Sequence, residues 1–149
     1  MRAVIQRVSQ ANVKVENIVT GAIEQGLLIL LGVHGNDTDK DVKWLAEKII
    51  NLRIFDDDNG IMNLSLNDVN GQLLVVSQFT LYGDCRKGRR PSWSSAAPPQ
   101  KAQQLYLDFI EECTRIGFPP QTGTFQAEMD VTLTNQGPVT LLLDSPKTF

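Results

Sequence analysis

Three stretches of this chain carry residue types that could act on a bound molecule. The first is Ser77-Gln78-Phe79-Thr80-Leu81, which follows an apolar run at 73–76. Hydroxyls and a carboxamide at the end of a buried strand suit a pocket with apolar walls, where a few polar groups fix a ligand's orientation. The same residues also fit an edge strand whose hydroxyls bond to neighbouring backbone. The second stretch is Gly137-Pro138, set between strand-like runs at 132–134 and 139–143. Proline gives no N–H to a ladder and belongs at an edge, a bulge or a turn, while the glycine before it permits close approach. A strand that stops pairing there presents main-chain carbonyls; an ordinary turn is the other reading. The third is Arg86-Lys87-Gly88-Arg89-Arg90. Its cations could hold phosphates, or lie as a solvated loop against the protein's own acids.

The missing chemistry is equally informative. The one histidine, His34, lies between glycines in Gly32-Val33-His34-Gly35. Neither Ser77 nor Thr80 therefore has an evident base, which argues against Ser-His-Asp and Cys-His catalysis. No His/Cys/Asp cluster has zinc spacing and no glycine-rich phosphate loop appears, so neither metal nor cofactor is expected. Asp56-Asp57-Asp58 reads as an acidic turn. Cys85 and Cys113 fit no disulfide framework, which points to a reducing cytoplasm.

Elements must position these groups. Apolar residues at 4–8, 13–15 and 18–19 alternate or cluster with polar ones, predicting short strands in a meander. Runs at 26–32, 52–55, 73–76, 129–133 and 139–143 read as further strands. Val42, Leu45, Ala46, Ile49 and Ile50 fall at helical spacing behind N-cap candidates at 36–39. A second amphipathic helix is predicted from Pro98-Pro99 to about Arg115, with Leu105, Tyr106, Phe109 and Cys113 on its inner stripe. The expectation is an α+β fold: one barrel-like, antiparallel-rich β-sheet domain over 1–149 with two inserted helices. At 149 residues with 42% apolar and 21% charged residues, the chain can bury a core. No apolar run approaches the roughly 20 residues that span a bilayer, and no signal peptide is evident, so no membrane partner is expected. The net charge of −3 argues against bulk electrostatic binding of nucleic acid.

Joined to Thr134-Asn-Gln-Gly-Pro-Val-Thr140, the Ser77–Leu81 stretch resembles the paired signature of the D-aminoacyl-tRNA deacylase family of bacterial and eukaryotic type. The likeness runs through Met1-Arg-Ala-Val-Ile-Gln-Arg-Val8, Gly26-Leu-Leu-Ile-Leu-Leu-Gly-Val33, Asn51-Leu-Arg-Ile-Phe55, Met62-Asn-Leu-Ser-Leu66, Arg86-Lys-Gly-Arg-Arg-Pro-Ser92 and Ala96-Ala-Pro-Pro99. Departures fall at Gln126, where a small residue is more usual, Gln136 for aspartate, Trp93 for phenylalanine, and Cys85.

The resemblance implies hydrolysis of the ester joining a D-amino acid to the terminal ribose of tRNA, helped by the 2′-OH and a positioned water. Such an ester is already activated; orienting it and offering main-chain N–H donors suffices without a strong side-chain nucleophile. The resemblance further implies that Ser77, Gln78, Phe79 and Thr80 form the catalytic site, chiefly through backbone and positioning contacts. Gly137 and Pro138, joined by a cis bond, would select the amino acid, with Phe125 and Met129 also binding substrate. Arg86, Lys87 and Arg89 would hold the acceptor end of aminoacyl-tRNA. The implied assembly is a homodimer in which Gly137-Pro138 of one chain enters the site of the other. Two other readings stand beside this one: a non-catalytic tRNA- or protein-binding module on the same fold, and a deacylase shifted toward an achiral or L-amino acid. Animal relatives that edit L-alanine errors carry an altered first motif; the motif here is unaltered, which favours the D-specific reading.

Overall fold

In the computed structural model, which describes residues 1–148, one long strand organises the sheet. Strand β1 (Arg2–Val15) buries Ala3, Ile5 and Arg7 on one face; register shifts at 6–10 then change the phase, so that Ala11 and Val13 enter a second core. The short strands expected here are therefore one element, because bulges absorb the change in alternation. Glu16 and Asn17, with φ of 50° and 66°, form the tight turn into β2 (Ile18–Ile23), which returns along the far half of β1. Strand β3 (Gly26–Gly32) runs antiparallel to the near half.

Helix α1 (Asp39–Ile50) begins at Thr38, whose N–H donates to the Asp41 carboxylate at 2.8 Å in a capping box. The run expected as a strand at 52–55 shortens to β4 (Phe55–Asp56), paired with β5 (Met62–Leu64). Between them Asp57 accepts the N–H groups of Asn59 and Ile61 at 2.9 and 3.1 Å, so the acidic run is a turn. Strand β6 (Gln72–Ser77) pairs parallel with β3, and β7 (Gln121–Thr122) pairs parallel with β6. Helix α2 (Pro99–Arg115) lies between them in sequence and starts on proline, which is suited to a first turn. Strand β7 also contacts β2, so the sheet nearly closes on itself. Strand β8 (Asp130–Asp144) covers the other side of β1 as one strand where two were expected, broken only around Gly137-Pro138. The sheet is thus mixed, with antiparallel pairs on β1 and parallel pairs through β6.

Strands β3 and β6 read as continuous apolar runs because both their faces are covered. Leu27, Ile29, Leu73 and Val75 pack against the helix residues Leu45, Ile49, Phe109 and Cys113; Leu28, Leu74 and Val76 fill the barrel with Val13 and Ile23. Fully burying a side chain such as Phe109 contributes about 1.5–3 kcal/mol. Among the described residues no helix is long and apolar enough to cross a membrane.

Candidate active site

The end of β6 carries the first motif into a cleft. At Ser77 the strand gives way to a single 3-10 turn, Phe79–Tyr82, in place of further ladder. The Gln78 N–H donates to the Leu31 carbonyl at 2.7 Å, and the Gly83 N–H to the Thr80 carbonyl at 2.9 Å. The edge-strand reading of the hydroxyls therefore falls for Thr80, which sits within the turn. Its hydroxyl oxygen accepts a hydrogen bond from the Gln78 side-chain amide.

Beside the turn opens a cleft of about 600 Å³. Its lining includes Ser77, Gln78 and Phe79 from the motif, Tyr106 from α2, and Phe125, Gln126 and Met129 from the segment before β8. The structure thus brings together Ser77, Gln78, Phe79, Phe125 and Met129 as expected, while exposed Thr80 is not part of the lining. Gln126 adopts a left-handed conformation, φ 64°, at an exposed position. The Tyr106 hydroxyl donates to the Val75 carbonyl at 2.9 Å, and burial pushes its pKa up to about 12, so it stays neutral at working pH.

Among the described residues no nucleophile–base pair is assembled there. His34 lines a neighbouring cleft with Tyr82 and Cys85, and its Nδ1 accepts the Asn36 N–H at 3.1 Å. Cys113 is buried in the core, where burial raises its pKa to about 12.

The second motif is built elsewhere. Strand β8 leaves the ladder after Asn135, opposite Val8, and rejoins it at Thr140, opposite Gln6. In the intervening loop the Gly137-Pro138 bond is cis and both residues are exposed. The Asn135 side-chain amide closes the neck, donating to the Arg7 and Val139 carbonyls at 3.1 and 2.9 Å. Arg7, only 5% exposed, supports the loop from beneath. Its Nε donates to the Gln136 carbonyl at 3.1 Å, and its Nη1 to the Ile54 carbonyl at 2.8 Å and to Asp56 at 3.1 Å. Gly137 has φ 117°, and a Cβ added to it would stand 2.9 Å from Arg7 Nη2. The loop thus requires glycine both for its backbone and for the space the guanidinium fills. The unusual Gln136 is accommodated because its carbonyl makes the bond while the residue is exposed.

Sequence reasoning missed Arg7. The signal was its phase: it alternates with Ala3 and Ile5, so a charged residue falls on the buried face and must find partners there. Gly137 and Pro138 line no part of the cleft beside Ser77 in the same chain.

The cationic stretch forms a hairpin closed by main-chain bonds between Asp84 and Ser92 of 2.8 and 3.0 Å. Arg86 forks onto the Asp84 carboxylate at 2.9 and 2.7 Å and holds its pKa well below the usual carboxylate range. Its charge is therefore already matched. Lys87 and Arg89 are exposed and, among the described residues, make no ion pair or hydrogen bond.

A nearly closed α+β barrel with a cleft at the end of its parallel strands, and a main-chain loop held apart on an edge strand, defines a narrow class of small domains. The family described as D-Tyr-tRNA(Tyr) deacylase matches residues 4–144. The chain is 64% identical to the D-aminoacyl-tRNA deacylase of Thermosipho africanus (strain TCF52B), over 100% of both chains. It is 60% identical to that of Desulfotalea psychrophila (strain LSv54 / DSM 12343), again over 100% of both. Among solved structures, c-Myc DNA Unwinding Element Binding Protein matches with a TM-score of 0.93 and 39% identity, over 98% of this chain and 99% of that one. A probable eukaryotic D-amino acid tRNA deacylase shares the fold, with a TM-score of 0.82 and 17% identity over 96% and 98% of the two chains. The chain belongs to the D-Tyr-tRNA(Tyr) deacylase family.

Proposed function

We propose that this protein hydrolyses D-aminoacyl-tRNA to free D-amino acid and tRNA, using the Ser77–Phe79 cleft of one subunit and the Gly137-Pro138 loop of its partner. The observation that carries the reading is the cleft itself, apolar-walled and without a nucleophile–base pair, in a chain of this family. Orientation of an activated ester and main-chain donors at Phe79 and Thr80 supply the catalysis, since the Gln78 N–H is engaged by Leu31, with the Thr80 side chain in a supporting place. The cross-subunit arrangement is supported by the separation of the two motifs within one chain and by the exposed loop on β8.

Main-chain carbonyls of the loop hold the α-ammonium and leave no room on the L side of Cα, so selection works by exclusion. Glycine, with hydrogen on both sides, escapes that exclusion, and glycyl-tRNA is a substrate. The free thiols Cys85 and Cys113 fit a cytoplasmic setting.

The test is deacylation of D-tyrosyl-, L-tyrosyl- and glycyl-tRNA by the purified protein. Cleavage of the first and third but not the second is expected. Hydrolysis of none would leave a binding module, a reading to which the DNA-binding name of one structural relative is pertinent. Preference for the L-ester would mark shifted specificity. Failure on glycyl-tRNA alone would mean that the D side chain is positively recognised.

Thr80→Ala should retain deacylation within about tenfold, since removal of a true acyl-enzyme nucleophile costs several orders of magnitude. An acyl-threonine trapped at position 80 would overturn that assignment.

Lys87 and Arg89 hold phosphates of the acceptor end, with Arg86 contributing least because Asp84 already holds it. Replacing Lys87 and Arg89 with alanine should weaken tRNA binding while leaving the D/L ratio nearly unaltered, because phosphate contacts position a ligand without reading its amino acid. The slope of log Kd against log salt should fall by roughly one for each phosphate that is no longer neutralised. Wild-type salt dependence in this variant would assign the hairpin to surface alone.

A further inference from the structure

We propose that Trp93 is a positioning residue that couples the cationic hairpin to Phe79, so that tRNA held at the hairpin tip sets the wall of the cleft. This rests on the deacylase reading above. Trp93 follows Ser92 directly, and Ser92 closes the hairpin against Asp84. Inside the hairpin Arg86 forks onto Asp84 at its base. On the other side the Ala96 N–H donates to the Trp93 carbonyl at 3.0 Å, and the Gly35 N–H donates to the Ser95 carbonyl at 3.3 Å. The indole therefore stands between an anchored segment and the base of a hairpin whose exposed loop carries Lys87 and Arg89.

Its two neighbours belong to the site. A Cβ added at Gly83 would lie 2.6 Å from Trp93 Cζ3 and 3.0 Å from the Thr80 carbonyl. Glycine is thus what lets the indole reach the turn. The indole and the Phe79 ring meet edge to face, with centroids 5.3 Å apart and planes at 69°. Phe79 is 56% exposed, and Trp93 is its only aromatic partner among the described residues. Both rings line the cleft. A displacement of the hairpin therefore reaches the Phe79 ring through the indole, in addition to the Gly83–Asp84 backbone that joins the hairpin to the turn. Phenylalanine at this position would make the same contact with a smaller ring.

The test compares kcat for D-tyrosyl-tRNA with kcat for 3′-O-D-tyrosyl-adenosine, which lacks every phosphate the hairpin could hold. Trp93→Ala should lower the tRNA-to-adenosine kcat ratio about twofold to tenfold, the range an edge-to-face pair can supply. Gly83→Ala, which keeps the indole but pushes it off the turn, should do the same. The double variant should be no worse than Trp93→Ala, as expected of residues acting through one contact. Trp93→Phe should restore most of the ratio. In a Trp44→Phe background, Trp93 emission should shift when uncharged tRNA binds, and the Lys87/Arg89 alanine variant should abolish that shift. A wild-type kcat ratio in Trp93→Ala, with tRNA affinity still dependent on Lys87 and Arg89, would overturn the coupling alone. Affinity independent of those two residues would overturn the phosphate reading and the coupling with it.

Discussion

Mixing a Gln78→Ala chain with a Gly137→Ala chain should raise deacylation above the level that either protein shows by itself. Gln78→Ala damages the cleft and leaves the loop intact. Gly137→Ala does the reverse: its φ of 117° is strained for any L side chain, and the new Cβ meets the Arg7 guanidinium. In a two-fold dimer with composite sites, each mixed pair holds one site with both parts intact and one with both parts damaged. Random exchange of equal amounts makes half the dimers mixed, so about one quarter of all sites should be whole. Activity is measured after exchange of an isotope-labelled partner, with mass spectrometry confirming mixed dimers. Mixed dimers without that gain would place the two motifs in the service of one chain's cleft, against the separation seen here.

Replacing Arg7 should damage stability and selection together. In Arg7→Met the side chain still fills much of the buried space, but the carbonyls of Ile54 and Gln136 are deprived of their donor. Leaving the buried Ile54 acceptor unpaired costs about 1–3 kcal/mol, and the Gln136 carbonyl, only partly buried, adds less. The ion pair with Asp56 adds little, because that carboxylate is half exposed. A net loss on the order of 2–4 kcal/mol is expected, read as a lower urea midpoint with unchanged slope. The loop it supports would then be free to shift, and misplacement by about 1 Å can cost on the order of a hundredfold in rate. Arg7→Lys should rescue neither property fully, since an ammonium cannot reproduce the planar fork that reaches Gln136, Ile54 and Asp56. Near wild-type deacylation of D-esters by Arg7→Met, with L-esters still refused, would show that the loop holds its geometry without the guanidinium.

Much of the architecture is local and so can be read along the chain. Both helices are legible because their signals lie within a few residues: the cap before α1, the prolines before α2, and apolar spacing along each. Strands β3 and β6 are legible as apolar runs, since burial on both faces removes any need for alternation. The absence of a histidine near either hydroxyl motif narrows the chemistry from residue types alone, and the paired motifs point to the family. Strands β1 and β8 read as pieces because a bulge reverses which residues face inward, and no local pattern announces how far pairing continues beyond it.

Tertiary structure decided the rest. The sequence holds Arg7 and Gln136 as residues 129 positions apart, and only the register of β8 on β1 joins them. The same register lifts Gly137-Pro138 away from the cleft of its own chain, while parallel pairing of β6 with β3 puts Ser77 beside Leu31 in the cleft's lining. Whether Arg86 is free for phosphate or bound to Asp84 is likewise settled by the hairpin's fold, which sets the fork. Residue types determine which bonds a segment can make; pairing across distant strands determines which partners come within reach, and hydrogen bonds act only over about 3 Å.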